Sequence, residues 1–211
     1  MQINNETILM NIDGKFDESI KLAQELFLKG SIFIYPTDTI YGFGGNPFNE
    51  EVIKKISDVK GKTNWRRYIF LISNIDTLKN YVQINSEKHL DFLLSIWPNP
   101  VSVILKLNKH YQEILKMETG AFRIPNHRFC LKLLSELKMP LISTSVNRTG
   151  SEPLNDPSMI IQEFSNEIDA IFYSESKSFV EASTLIDLSS DELKCIREGR
   201  IKFVDLIKKL S

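Results

Sequence analysis

The sequence predicts a single α/β domain in which helices flank a twisted sheet of mixed parallel and antiparallel strands. Three observations lead to this prediction. Helical and extended patterns alternate along most of the chain, the late strands follow one another without helices, and no repeat, low-complexity segment or linker divides the 211 residues. A chain of this length can bury one sizeable core. We therefore expect one domain over residues 1–211.

The first half of the chain begins with an amphipathic helix over residues 16–29, which Gly30 can end in the left-handed conformation. Asn49 and Gly61 are typical of the two ends of a second helix. The spacing of apolar residues places the elements of this half at 16–29 (helix), 31–35 (strand), 50–60 (helix), 68–72 (strand) and 86–96 (helix).

The second half contains more strands than helices. Its predicted elements are strands at 101–107 and 121–124, a helix at 127–138, a strand at 141–144, a helix at 157–165, and strands at 168–173, 184–188 and 194–197. A short amphipathic helix follows, and its predicted apolar face consists of Phe203, Leu206, Ile207 and Leu210.

Composition excludes several classes of protein. A net charge of -1 gives no general attraction to nucleic acid, and Cys130 and Cys195 are too far apart in sequence to indicate a disulfide framework. The three histidines are scattered, so the sequence shows no zinc or Cys-His signature. The acidic N-terminal segment and the lack of a window near ~18 apolar residues lead us to expect a soluble cytoplasmic chain without membrane association.

Polar residues cluster where the strand at 31–35 ends. The stretch PTDTIYG, residues 36–42, places Thr37, Asp38, Thr39 and Tyr41 just before what we expect to be a flexible glycine turn. Binding groups often lie where a rigid strand passes into a loop. The stretch therefore predicts the rim of a small-molecule site, although a loop whose side chains only cap the backbone has the same pattern.

The stretch KGKTNWRR, residues 60–67, carries four cations in eight residues. A basic loop with a glycine suits a polyphosphate or another anion. The alternative is that the cations only complement the negative end of the preceding helix.

Two further stretches carry small polar or basic residues. PLISTSVNRTG, residues 140–150, offers hydroxyl and amide donors that bind a phosphate or carboxylate, or that simply cap a turn. The other consists of STLID, residues 183–187, and IREGR, residues 196–200, in which Arg197 is either a phosphate fork or a surface ion-pair partner. Arg123 lies inside the apolar strand FRIP, so it needs an anion. A ligand carboxylate and a structural partner such as Asp187 are both compatible with the sequence.

Taken in order, these stretches resemble the YrdC-type threonylcarbamoyl-AMP synthases over residues 15–201. The blocks that carry the resemblance are YPTDTIYG (35–42), KGK (60–62), WPNPVSVIL (97–105), FRIP (122–125), PLISTSVNRTG (140–150), STLIDLS (183–189) and IREGRI (196–201). The resemblance implies one YrdC-like domain with a concave ligand cavity, without the additional C-terminal domain of longer members. It also implies the synthesis of threonylcarbamoyl-AMP and pyrophosphate from L-threonine, bicarbonate and ATP, with Mg²⁺ on the triphosphate, for tRNA threonylcarbamoyladenosine.

The resemblance also assigns roles to residues. The L-threonine contacts it implies are Thr39, Tyr41, Arg123, Ser143 and Ser183. The ATP contacts it implies are Lys60, Lys62, Arg66, Ser145, Asn147 and Arg197. Of these, Lys60 and Lys62 are the expected catalytic cations. Downstream proteins that transfer the threonylcarbamoyl group to tRNA are expected partners, together with a weak RNA contact.

Six positions depart from the family pattern, and two of them, Arg67 and Tyr68, stand where many members have Pro-Leu. Lys62 replaces an arginine and thereby loses a planar fork. Thr63 stands where proline is common, Leu71 where many members have histidine, and Val146 where alanine is usual, which we expect to add bulk near the adenosine. Two alternatives remain, namely an RNA- or ribosome-binding protein of the same fold without synthase activity, and a carbamoyl-transfer relative of the kind used in hydrogenase maturation.

Overall fold

In the computed structural model, residues 6–62, 64–84, 86–175, 181–190 and 192–210 are described, except for the side chain of Arg66. Within these residues the strands are β1 (Ile8–Asn11), β2 (Phe33–Tyr35), β3 (Gly42–Gly44), β4 (Ile69–Leu71), β5 (Val101–Lys106), β6 (Thr119–Arg123), β7 (Leu141–Ser145), β8 (Ala170–Tyr173), β9 (Thr184–Asp187) and β10 (Lys194–Arg197). The helices are α1 (Phe16–Leu28), α2 (Glu50–Lys60), α3 (Ile75–Lys79), α4 (Glu87–Ile96), α5 (Lys109–Leu115), α6 (Arg128–Leu137), α7 (Pro157–Phe164) and α8 (Phe203–Leu210).

All ten strands join one sheet in the order β1-β8-β2-β3-β7-β4-β6-β5-β9-β10. The pairs β1–β8, β2–β8, β4–β6 and β5–β9 are parallel, and the remaining neighbours are antiparallel. The predicted mixed sheet is therefore confirmed. Strands that are distant in sequence become neighbours in its centre, where β7 lies between β3 and β4.

Local signals set the ends of helix α2 as predicted. Asn49 accepts hydrogen bonds from the backbone N–H groups of Glu51, at 3.0 Å, and Val52, at 3.4 Å. Gly61 ends the helix with a φ of 82°, a conformation that favours glycine. Because Lys60 is the last residue of this helix, the cap fixes the position from which its side chain leaves.

The prediction of a flexible glycine turn after PTDTIYG was wrong, because Gly42–Gly44 forms strand β3 between β2 and β7. A Cβ atom on Gly44 would lie 2.6 Å from the Tyr35 ring and 2.9 Å from the Phe33 ring. Glycine therefore allows the aromatic side chains of β2 to pack across β3. Strand β1 and helices α3 and α5 were not predicted either.

Two groups of buried side chains form the core. The larger includes apolar residues of β5 and helices α2 and α4, whereas the smaller includes residues of α1 and α6. In helix α8 Leu206 is buried but Ile207 is 45% exposed, so the apolar face is narrower than predicted. None of the described helices has the length and apolar character needed to cross a membrane.

Candidate active site

The ends of several strands enclose a cavity of about 200 Å³ in the described part of the chain. Five serine and threonine side chains line it: Thr39, Ser143, Thr144, Ser145 and Ser183. Three arginines line it as well: Arg67, Arg123 and Arg197. The rest of the described lining is apolar or aromatic and consists of Ile40, Tyr41, Ile69 and Ala182.

The charge of this lining is entirely positive. No carboxylate lies among the described lining residues, whereas three guanidinium groups do. Hydroxyl groups add neutral donors that can bind an anion without further charge. The cavity therefore suits a ligand with more than one negative group.

Arg123 is held at the base of the cavity by the stretch that follows β2. Its side chain is 3% exposed, and its Nη2 atom lies 3.5 Å from Oδ1 of Asp38. Its Nη1 atom donates a hydrogen bond of 3.0 Å to Oγ1 of Thr39. The Nε atom is buried and makes no hydrogen bond with the described residues. One guanidinium donor is thus not used by the described part of the protein.

The suggestion that Asp187 is the structural partner of Arg123 was wrong. Oδ1 of Asp187 accepts hydrogen bonds from the backbone N–H and the hydroxyl of Ser189, at 2.8 and 2.6 Å. Asp38 takes the place beside Arg123, and its Oδ2 atom also accepts from the N–H of Asn126 at 3.1 Å. The backbone that follows the FRIP stretch therefore also holds the Asp38 carboxylate in place.

The wall formed by Ala182 and Ser183 is held by β10 and the residues after it. Nη2 of Arg197 donates to the Ser183 carbonyl at 2.9 Å, and the Arg200 N–H donates to the Ala182 carbonyl at 3.1 Å. Burial and the neighbouring Arg123 charge lower the pKa of Arg197. Gly199 packs so closely that a Cβ atom there would lie 2.4 Å from the Ala182 carbonyl oxygen. The sequence offered only the IREGR motif as a signal for this glycine.

Arg200 connects this wall to the other side of the site. Its Nη1 atom donates a hydrogen bond of 2.9 Å to the backbone carbonyl of Asp38. The residues that follow β10 therefore support both the Ser183 wall and the residue that pairs with Arg123.

Lys60 is buried and binds the end of β7. Its Nζ atom donates to the carbonyl oxygens of Ser145 and Asn147 and to Oδ1 of Asn147, the last two at 3.1 and 2.9 Å. Ser145 lines the cavity, but Lys60 and Asn147 are absent from its lining. The described contacts of Lys60 therefore fix the Ser145-Val146-Asn147 segment, and its phosphate contact stays a prediction.

The other basic residues of the 60–67 stretch are placed differently. Lys62 is exposed with a φ of 63° and does not line the cavity. Arg66 lies in a short 3-10 helix, Trp65–Arg67, but its side chain lies outside the described part of the structure. Arg67, to which the family resemblance assigned no role of its own, does line the cavity.

Val146 was expected to add bulk near the adenosine, and the structure places its side chain in the core. Its side chain is fully buried in the larger core group and does not line the cavity. Strand β7 ends at Ser145, which lines the cavity, and the chain turns at Val146 toward the core. Leu71 is likewise buried in the smaller core group.

The lowered pKa of Lys60 predicts how the free energy of unfolding depends on pH, and this dependence tests whether the charged side chain is buried. Burial lowers this pKa from 10.5 to about 8, so between these values the unfolded chain holds a proton that the folded chain has lost. Stability therefore rises with pH across this window, and below it this group gives stability no dependence on pH. We expect the unfolding free energy of the wild type, relative to Lys60→Met, to increase by about 1–2 kcal/mol between pH 7 and about 9.5.

Urea denaturation at the two pH values measures this difference. Lys54→Met is the matched control, because Lys54 is exposed and Asp58 raises its pKa, so that it stays charged at both values. An unchanged difference between the wild type and Lys60→Met would show that Lys60 is not buried as a charged group.

The comparisons with known proteins agree with this architecture. The P. abyssi Sua5 structure complexed with L-threonine is 24% identical and matches with a TM-score of 0.87 over 96% of this chain and 61% of that chain. The P. abyssi Sua5 H234A/Y235A variant is 24% identical, with a TM-score of 0.85 over 96% of this chain and 60% of that one. The chain thus spans about 60% of the length of these two proteins.

E. coli YciO is similar in length as well as in fold. It is 23% identical, with a TM-score of 0.84 over 98% of this chain and 100% of that chain. At these identities the structural matches establish the fold. The family model Sua5_yciO_yrdC, described as "Telomere recombination", matches residues 25–199. Because this match covers most of the sequence, the chain belongs to the Sua5/YciO/YrdC family.

Proposed function

We propose that this protein is an L-threonylcarbamoyladenylate synthase that uses L-threonine, bicarbonate and ATP and serves the threonylcarbamoyladenosine modification of tRNA. The observation that carries the proposal is a single cavity in which three guanidinium groups lie among five serine and threonine hydroxyl groups. The reaction brings a carboxylate and a triphosphate together, and this lining can bind both. The P. abyssi Sua5 structure in complex with L-threonine supports the choice of amino acid.

The amino acid would bind beside Arg123. Its carboxylate would accept hydrogen bonds from the guanidinium, whose buried Nε atom has no partner among the described residues. Thr39, Ser143 and Ser183 would supply further hydroxyl contacts. Tyr41 would shape the pocket with its ring, since its hydroxyl already accepts a hydrogen bond from the Ser174 N–H at 3.1 Å.

The chemistry requires no covalent enzyme intermediate. The neutral amine of threonine combines with bicarbonate to form a carbamate and water. A carbamate oxygen then attacks the α-phosphorus of ATP, and the bond to pyrophosphate breaks. The contribution of the protein is to hold two anions together and to neutralise their repulsion, which fixed cations in a partly closed cavity can do.

Magnesium would enter as part of the substrate, bound to the triphosphate. The described cavity lining has no carboxylate, and the described residues form no cluster of three or more histidine, cysteine, aspartate or glutamate side chains. These residues therefore do not fit a magnesium site made by the protein alone. Phosphate oxygens are suitable ligands for this ion.

The direct test is to incubate the protein with MgATP, L-threonine and bicarbonate and to measure pyrophosphate and threonylcarbamoyl-AMP. We expect pyrophosphate release to depend on threonine, and L-alanine and L-serine to be much poorer substrates. Pyrophosphate release that ignores threonine, or no product at all, would contradict the proposal. RNA binding that weakens steeply with salt, without ATP binding, would favour the RNA- or ribosome-binding alternative.

A further inference from the structure

Arg67 differs from the other two arginines of the cavity because the described protein does not use its side chain. Within the described residues, no side-chain hydrogen bond or ion pair engages its guanidinium group. Arg123 contacts Asp38 and Thr39, and Arg197 donates to the Ser183 carbonyl. Arg67 thus brings a full positive charge to the cavity without a carboxylate that would neutralise it.

The backbone that carries Arg67 is firmly placed. Its N–H donates to the Asn64 carbonyl at 3.1 Å, and the next N–H, that of Tyr68, donates to the Trp65 carbonyl at 2.9 Å. Strand β4 begins two residues later, and there Ile69 pairs with Ser143 of β7 and Ala121 of β6. The exposed Arg67 side chain can therefore reach a ligand in the cavity without a rearrangement of the main chain.

The two lysines of the 60–67 stretch, Lys60 and Lys62, do not line the cavity. The ammonium of Lys60 already donates to Ser145 and Asn147, and Lys62 is exposed and outside the cavity lining. Lys62 also lacks the planar fork of an arginine, which can bind two phosphate oxygens at once. Arg67 provides such a fork five residues further along the same stretch.

We propose that Arg67 binds the terminal phosphates of a nucleoside triphosphate and supplies the bidentate contact that Lys62 cannot make. This inference rests on the proposed function and adds a binding residue to it. Arg67 is exposed, so it lies on the part of the cavity that is open to solvent. Pyrophosphate must leave in that direction, whereas the α-phosphate must stay close to the amino acid at Arg123.

The test measures binding rather than turnover. Isothermal titration calorimetry with ATP, inorganic tripolyphosphate, AMP and L-threonine compares the wild type with Arg67→Ala and Arg67→Lys. We expect Arg67→Ala to weaken ATP and tripolyphosphate binding about 10- to 100-fold, the loss typical of a charge-assisted contact, with AMP and threonine within about twofold. Arg67→Lys should recover only part of this loss, since an ammonium has no fork.

Arg128→Ala is the matched control for the loss of one arginine outside the cavity. Arg128 packs over the Phe16 ring, at 4.1 Å from its centroid, and does not line the cavity. We expect the ATP affinity of Arg128→Ala to equal that of the wild type. Circular dichroism of all variants checks that they are folded.

Three results would overturn the inference: ATP and tripolyphosphate affinities of Arg67→Ala within about twofold of the wild type, an equal loss of AMP binding, or full recovery by Arg67→Lys. The absence of ATP and tripolyphosphate binding by the wild type would overturn it as well. None of these binding measurements depends on product formation, so the inference and the proposed reaction can fail separately. ATP binding that depends on Arg67, without synthesis of threonylcarbamoyl-AMP, would refute the proposed reaction and support the role of Arg67. Synthesis and ATP affinity that are both unchanged in Arg67→Ala would support the reaction and refute the role of Arg67.

Discussion

Replacing Arg123 with alanine is expected to weaken L-threonine binding by about 30- to 100-fold and to lower the unfolding free energy by about 3–5 kcal/mol. Binding would weaken because the amino-acid carboxylate loses its charged partner. Stability would fall because the buried carboxylate of Asp38, 5% exposed, would lose the guanidinium that pairs with it. Calorimetric titration with threonine and urea denaturation measure the two effects.

The double variant Arg123→Met with Asp38→Asn separates these two effects. It removes both buried charges, and the amide oxygen introduced at position 38 could still accept the hydrogen bond from the Asn126 N–H. We expect it to recover most of the stability lost in Arg123→Ala, because an apolar replacement for a buried ion pair is often tolerated. Threonine binding should stay weak. Wild-type threonine affinity in the double variant would refute the role of Arg123 as the carboxylate partner.

Replacing Gly199 with alanine is expected to deform the cavity by displacing the wall formed by Ala182 and Ser183. The new Cβ atom would lie 2.4 Å from the Ala182 carbonyl oxygen and 2.7 Å from the Ser183 carbonyl carbon and oxygen. These are backbone atoms, so they cannot rotate away as a side chain could, and the 182–183 wall must move. We expect a stability loss of about 1–3 kcal/mol and threonine binding weakened by about tenfold or more.

Gly14→Ala is the matched control for this change. A Cβ atom on Gly14 would meet no atom within 4 Å, and Gly14 does not line the cavity. Its stability should stay within about 0.5 kcal/mol of the wild type, with unchanged threonine affinity. Calorimetric titration and urea denaturation of both variants provide the comparison. If Gly199→Ala behaves like Gly14→Ala, the wall is less rigid than its contacts indicate.

The sequence could predict most of the fold because the signals for its main elements are local. Asn49 and Gly61 mark the ends of α2 through their own side-chain and backbone preferences. Strand β3 could not be predicted in this way, because glycine is a poor strand former in isolation. Its conformation depends on β2 and β7, which pair with it from both sides, and on the rings of Phe33 and Tyr35.

The candidate site was predicted less completely than the fold. Polar strand ends indicated which segments to consider, but a sequence does not show which side chains at a strand end turn toward a cavity and which turn toward the core. Val146 illustrates this, since it lies in the core although Ser145 beside it lines the cavity. The Asp38–Arg123 pair joins residues that are distant in sequence and depends on the arrangement of the whole sheet. Arg67 was predicted only as one of the four cations of the 60–67 stretch, because the family pattern assigns no cation to its position.

The cavity draws its lining from residues between 39 and 197, and its central strand β7 pairs with strands formed much earlier in the chain. A polypeptide that is still being translated therefore cannot bind the ligand until β10 has emerged from the ribosome. Substrate binding therefore cannot stabilise shorter nascent chains. Products truncated before Arg197 would consequently be exposed to proteolysis whatever the cellular supply of substrate.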